Sequence, residues 1–199
     1  MKFIIILLLI TSSATAQTFK AEIEQHRTEY KAAFLKEDNS PLKQKDLQHL
    51  NFFDADSTYK VSAKVQILQN KKVFKMPTYN GTSKNFYRCA LINFILNDQP
   101  ITMTLYKSVA LANNPMYKNL LFLPFTDQTN GNETYGGGRY IDLSEKEIKN
   151  DKIEIDFNKA YNPYCAYGGG YNCPAPPEDN NLQMSITAGE KIYTGGKKH

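Results

Sequence analysis

TYKVSAKVQI, residues 58–67, alternates apolar and polar side chains without a break. Tyr59, Val61, Ala63, Val65 and Ile67 fall on one side, and Lys60, Ser62, Lys64 and Gln66 on the other. A period of two is that of a strand with one buried face. The same period returns downstream. Ile101, Met103 and Leu105 alternate after the turn residues Asn97, Asp98 and Gln99. That turn joins them to the long apolar run NFYRCALINFIL (85–96) as a hairpin. The runs KKVFKM, NLLFLPF, RYIDL and KIEIDF read as further strands, with NLLFLPF stopped by Pro124. NLQMSITAGEKIY is expected to be the last strand, on the alternation of Leu182, Met184, Ile186 and Ala188.

Upstream of residue 58 the period is different. Phe19, Ile23, His26, Tyr30 and Phe34 recur at spacings of three and four, the stripe of an amphipathic helix. Asn39, Ser40 and Pro41 should end it. QKDLQHLNFF adds a helical turn that docks Leu47, Leu50, Phe52 and Phe53. The fold class is therefore mainly β (α+β): an N-terminal helix, then an antiparallel β-barrel or strongly curved sheet. No strand–helix–strand alternation appears, which disfavours a nucleotide-binding α/β fold.

The first residues, MKFIIILLLITSSATA, have the form of an export signal. Lys2 supplies the positive end, Phe3 to Ile10 the apolar run, and Ala14-Thr15-Ala16 the small-residue cleavage site. Cleavage is expected before Gln17, giving a signal peptide at 1–16 and a single domain at 17–199, exported to a periplasm or beyond. The apolar run falls short of the about 20 residues that span a bilayer, so no membrane span is expected. A net charge of +4 with acids and bases interspersed is no basic face for nucleic acid.

Three cysteines remain, Cys89, Cys165 and Cys173. Export permits disulfides. Cys165 and Cys173 bracket a Gly-rich loop able to bring them together, with reduced thiols or a metal pair as the alternatives. Cys89 lies in an apolar run and reads as a buried free thiol.

Chemistry has two places to sit. The loops FLPFTDQTNGNETYGGGRYIDL and IDFNKAYNPYCAYGGGYNCPAPPEDNNL are dense in Gly, Pro, Asn and Tyr. Loops of this length are often functional. Asp127, Glu133, Arg139, Asp142 and Asp156 are the charged candidates, and of these Asp127, Glu133, Arg139 and Asp156 are the candidate acid–base and charge-stabilising residues. Tyr135, Arg139, Tyr140, Asn158, Asn162, Tyr167 and Asn180 are candidate ligand contacts. Glu133 and Arg139 flank one turn and are placed to pair. Asp127 and Thr129 read as turn residues bonding nearby backbone. The glycine triplet 136–138 lacks the Lys-Ser/Thr of a phosphate loop, so close backbone approach outweighs a phosphate cradle. No metal or cofactor is expected: the three histidines lie far apart, and no paired C-x-x-C or EF-hand spacing occurs. No G-x-S-x-G is present.

The combination ETYGGGRY, N-P-x-C-A-Y and C-P-x-P-P, spread over Pro124 to Glu190, resembles a bacterial and archaeal family of about 200 residues catalogued as a domain of unknown function, number sixteen-eighty-four. The resemblance implies that Asp127, Thr129, Glu133, Arg139, Asp156, Asn158, Asn162, Cys165, Tyr167, Cys173 and Asn180 are shared family positions. It brings no activity with it. Asp179 departs from the Glu common in such relatives, which puts an acid role there in doubt.

Two functions follow. One is an exported binding module that holds a small ligand, glycan or protein through the two loops. The other is a hydrolase-type enzyme using the Glu/Asp/Arg set. An open cleft holding Arg139 and two carboxylates would favour the enzyme. A buried Arg139 locked in an ion pair would favour binding or scaffolding.

Overall fold

In a computed structural model the backbone is described for residues 8–197 and the side chains for residues 17–197. The side chains of residues 1–16, where a signal peptide is expected, lie outside the described residues, as do Lys198 and His199. Helix α1 runs Leu8–Phe34, and strands follow at Lys60–Ile67 (β1), Val73–Pro77 (β2), Ser83–Leu96 (β3) and Gln99–Ser108 (β4). A one-turn helix α2, Val109–Ala112, leads to β5 (Leu120–Phe125), β6 (Arg139–Ser144) and β7 (Lys152–Asp156). The seven strands described form one antiparallel sheet in the order β6-β5-β4-β3-β1-β7, with β2 beside β3, and it curls into a half-barrel. Asn97 and Asp98 both take positive φ (49° and 59°), as the two-residue turn of the β3–β4 hairpin requires.

One face of the sheet carries the main core. Ala63, Val65, Ile92, Phe94, Met103, Leu105, Leu121, Leu123, Phe125, Ile141, Ile153 and Ile155 are all buried on it. Phe86, Tyr106 and Met76 form a second cluster with Phe122 and Phe74 packed against it. A β-bulge between Arg88 and Ala90 lets β3 serve both clusters. An unbroken strand would point Phe86, Arg88, Ala90 and Ile92 the same way, and the extra residue flips the parity. The bulge holds Cys89, whose thiol donates to the Leu105 carbonyl at 3.1 Å. Burial pushes that thiol up to about 12, so it stays protonated and inert.

Two expectations need correction. Pro124 does not stop β5; it pairs with Tyr140 and the strand runs on to Phe125. β4 and β5 share a register pair only at Tyr106 and Phe122, so the missing N–H of Pro124 costs no ladder bond there. The segment after Asn181 is not a strand. Leu182, Ile186 and Ala188 are buried against the core as their alternation implies, yet the segment makes only isolated bridges. Its carbonyls are taken by a side chain, as described below.

Cys165 and Cys173 are joined by a disulfide, with Cα atoms 6.3 Å apart, and Cys89 is free. A loop this short restricts the unfolded chain by about 2–3 kcal/mol in the loop-entropy account. Replacing both cysteines by serine is expected to lower stability by that amount, read as a shift in the urea midpoint. An unshifted midpoint would show that the bridge constrains nothing.

Candidate ligand-binding cleft

A cleft of about 1100 Å³ opens on the sheet face opposite the main core. Its floor comes from the alternate residues of three strands: Phe86 of β3, Phe122 of β5, and Tyr140 and Asp142 of β6. Helix α1 gives one wall with Tyr30, Ala33 and Phe34. The turn α2 gives another with Val109, Ala110 and Leu111, and the second Gly-rich loop adds Tyr161, Tyr164, Tyr171 and Pro174. Stacking of Phe86 on Phe122 (5.7 Å between centroids) and the edge contact of Phe122 with Tyr140 (4.8 Å) make the floor continuous. A volume and lining of this kind match small-molecule sites.

The polar groups are few. Asp142 is open to the cleft, and the Tyr161 hydroxyl donates to its Oδ2 at 2.9 Å. Burial pushes the Asp142 carboxyl up, the Tyr161 bond only partly opposes this, and no cation contributes. The Tyr140 hydroxyl donates to the Pro174 carbonyl. Lys107 is neutralised by Glu145 at 2.9 Å. Lys84, His26 and Lys159 also line the cleft. Burial lowers the ammonium of Lys84 and the imidazole of His26, the latter helped by Lys159.

Behind the α1 wall sits a buried carboxylate that sequence reading missed. Glu190 is fully buried and accepts from the Tyr167 hydroxyl (2.7 Å), the Tyr30 hydroxyl (2.9 Å) and the Asn162 N–H (2.9 Å). Among the described residues no arginine or lysine side chain pairs with it. Burial raises its carboxyl to about 7 despite the three donors. The same carboxylate pushes the Tyr30 and Tyr167 hydroxyls well above their usual range, though for both burial is the larger cause. The signal was present in the sequence: the buried parity of 182, 184, 186 and 188 continues to 190.

Arg139 lies on the core side of β6 and is fully buried. Its partner is Asp127, at 2.8 Å, and Glu133 is exposed instead of pairing with it. The Arg139 guanidinium also donates to the carbonyls of Ile186 (2.8 Å), Ala188 and Glu190 (3.3 Å). One side chain thus does what a neighbouring strand would do for this segment. Asp127 is held in turn by the Thr129 N–H and hydroxyl and by the Ile186 N–H.

The other candidates are scattered. Asp156 caps a short turn, accepting from the Asn158 N–H and amide. Asn158 exchanges two hydrogen bonds with the Asp56 backbone. Asn180 fills the gap between β4 and β5: it donates to the Thr104 and Pro124 carbonyls and accepts from the Thr104 N–H. Asn162 donates its amide to Lys191, and Tyr135 packs edge-on against Tyr79. Only Tyr140 of the candidate ligand contacts lines the cleft. The two Gly-rich loops do meet. Gly138, at φ +80°, passes so close to the Phe125 carbonyl and Pro176 that a Cβ would lie within 2.8 Å of both. Among the described residues no group of three or more His, Cys, Asp or Glu is arranged to hold a metal ion. No helix among them is long and apolar enough to cross a membrane.

The fold and these loops define a family. The model of the family described as protein of unknown function (DUF1684) matches residues 45–191, and the chain belongs to that family. The solution NMR structure of an uncharacterized protein from Haloarcula marismortui is similar to it, with 28% identity and a TM-score of 0.67 over 89% of this chain and 96% of that one. No curated protein matches the chain.

Proposed function

We propose that this protein is an exported single-domain binding module whose ligand seat is the cleft between α1, α2 and the sheet. The observation that carries the reading is the cleft itself: a large aromatic and aliphatic hollow with a few accessible polar groups. The four residues considered for hydrolysis support this reading by their positions. Arg139 and Asp127 are buried and committed to each other, Asp156 caps a turn, and Glu133 lies on the surface. None of the four lines the cleft. The disulfide is in keeping with export.

Ala110 is exposed in the cleft wall and contributes no packing to the core. Ala110→Trp is therefore expected to fill the cleft without changing the melting temperature. Nile red, a neutral apolar dye, should brighten on binding the native protein and lose most of that gain with Ala110→Trp. Equal brightening in the two proteins would place dye binding elsewhere and end the cleft reading.

A further inference from the structure

The cleft wall holds a carboxylate with no counter-charge. Asp142 makes one hydrogen bond, from Tyr161 to Oδ2, and Oδ1 has no protein partner among the described residues. Asp142 is exposed to the cleft, so water meets it in the empty protein and a cation entering the cleft would find it uncommitted. The buried acids Asp127 and Glu190, by contrast, are already committed, the first to Arg139 and the second to three donors.

The surroundings of Asp142 narrow what could answer it. Tyr140 and Tyr161, both lining the cleft, stand with ring planes at 90° and centroids 5.8 Å apart. Tyr161 also donates its hydroxyl to Asp142, which enriches its ring in electrons. Phe122 lies directly opposite Asp142 in the β5–β6 register and presses its ring against Tyr140. Aromatic faces beside a carboxylate are the surroundings that hold an organic ammonium group, through charge and through the ring quadrupoles. A hard metal ion is a poor alternative, because it needs six or more oxygen ligands and Asp142 is a single carboxylate. The lysine Lys84 does not compete for this spot. It lies on β3, three strand spacings from β6, or about 14 Å across the sheet. Lys107 is occupied by Glu145. His26 and Glu37 of α1 and Lys159 complete the charged lining, and Glu37 already accepts from Tyr164.

We infer that the cleft binds an organic ammonium compound with an apolar body, its cationic head at Asp142 beside the Tyr140–Tyr161 pair and its body along Phe122 and Phe86. The inference rests on the binding reading above and adds the chemical class of the ligand.

The test uses three probes of one shape and different charge: phenethylammonium, phenethyl alcohol and phenylacetate. Affinities for the mature protein are measured by calorimetry or by ligand-observed NMR at neutral pH. The ammonium probe is expected to bind at least about tenfold more tightly than the alcohol, a 1.4 kcal/mol difference, and phenylacetate more weakly still. Asp142→Asn should abolish the ammonium advantage and leave the alcohol and Nile red unchanged. Ala110→Trp should weaken all three probes. Equal binding of ammonium and alcohol, or an ammonium advantage that survives Asp142→Asn, overturns the ammonium assignment while the cleft reading stands. Tighter phenylacetate binding would overturn it in favour of an anion near Lys84. Failure of every probe and of Nile red to bind overturns both.

Discussion

Replacing Arg139 by alanine is expected to remove about 3–5 kcal/mol of stability, the scale for breaking a buried ion pair from one side. Net stabilities of domains are about 5–15 kcal/mol, so the variant should be largely or wholly unfolded near physiological temperature. The loss is more than a charge pair. The guanidinium takes Asp127 and three carbonyls, of Ile186, Ala188 and Glu190, and its carbon lies 5.3 Å from the centre of the Phe125 ring. An alanine takes the guanidinium donors away from the buried Asp127 Oδ2 and the three carbonyls, and leaves Asp127 with only its Thr129 and Ile186 donors. Arg139→Lys should recover only part of the loss, because an ammonium cannot span the carboxylate and three carbonyls as a planar fork does. Urea unfolding of the two variants checks the order. Hydrogen exchange in residues 182–193 checks the cause, since that segment should lose protection first. A stable Arg139→Ala protein with an undisturbed segment would remove the guanidinium from any structural role.

The second large effect depends on pH. An unfolded glutamate titrates near 4.5, and Glu190 in the folded protein near 7. Between those values the folded chain keeps a proton that the unfolded chain has released. Stability therefore falls as pH rises from about 4.5 to about 7 and levels off above it, by roughly 3 kcal/mol in all. Glu190→Gln keeps the shape of the side chain and removes the proton equilibrium. The variant should gain on the native protein by that amount between about pH 5 and about pH 8. His26 acts in the opposite sense, since burial lowers its imidazole and its contribution is lost as the pH drops. Comparing the two proteins at each pH cancels His26 and every other group they share. Parallel stability curves for the two would show that Glu190 ionises normally in the fold.

Much of the fold was readable because its signal is local. Val61 to Val65 and Ile153 to Phe157 announce one-sided strands by parity, and the Asn97-Asp98 turn announces its hairpin. The segment at 182–193 misled because parity reports which side chains are buried and says nothing of where the backbone finds its partners. Leu182, Ile186 and Ala188 are buried, as read, but the carbonyls of Ile186, Ala188 and Glu190 meet Arg139 instead of a strand. The pairing of Arg139 went to Asp127 rather than Glu133 for a related reason. Closeness in sequence favours Glu133, whereas β6 turns Arg139 toward the core, where Asp127 waits. The cleft was the least legible feature. It is assembled from α1, α2, four strands and a loop, and its polar centre, Asp142, stood in the sequence only as one of five charged candidates. Only the parity of β6, with Tyr140 and Asp142 opposite Arg139 and Ile141, separates the two faces.

The lateness of residue 190 in the chain has a consequence for biosynthesis. A ribosome delivers α1 first and all seven described strands before the segment that covers the core. Until Ile186, Ala188 and Glu190 emerge, Arg139 lacks three of its acceptors, and Tyr30 and Tyr167 lack theirs. The interactions that seal the fold join its early and late parts, so they can form only when translation is nearly complete. Sealing this late in synthesis suits the export proposed above, which would call for a chain that has not yet closed.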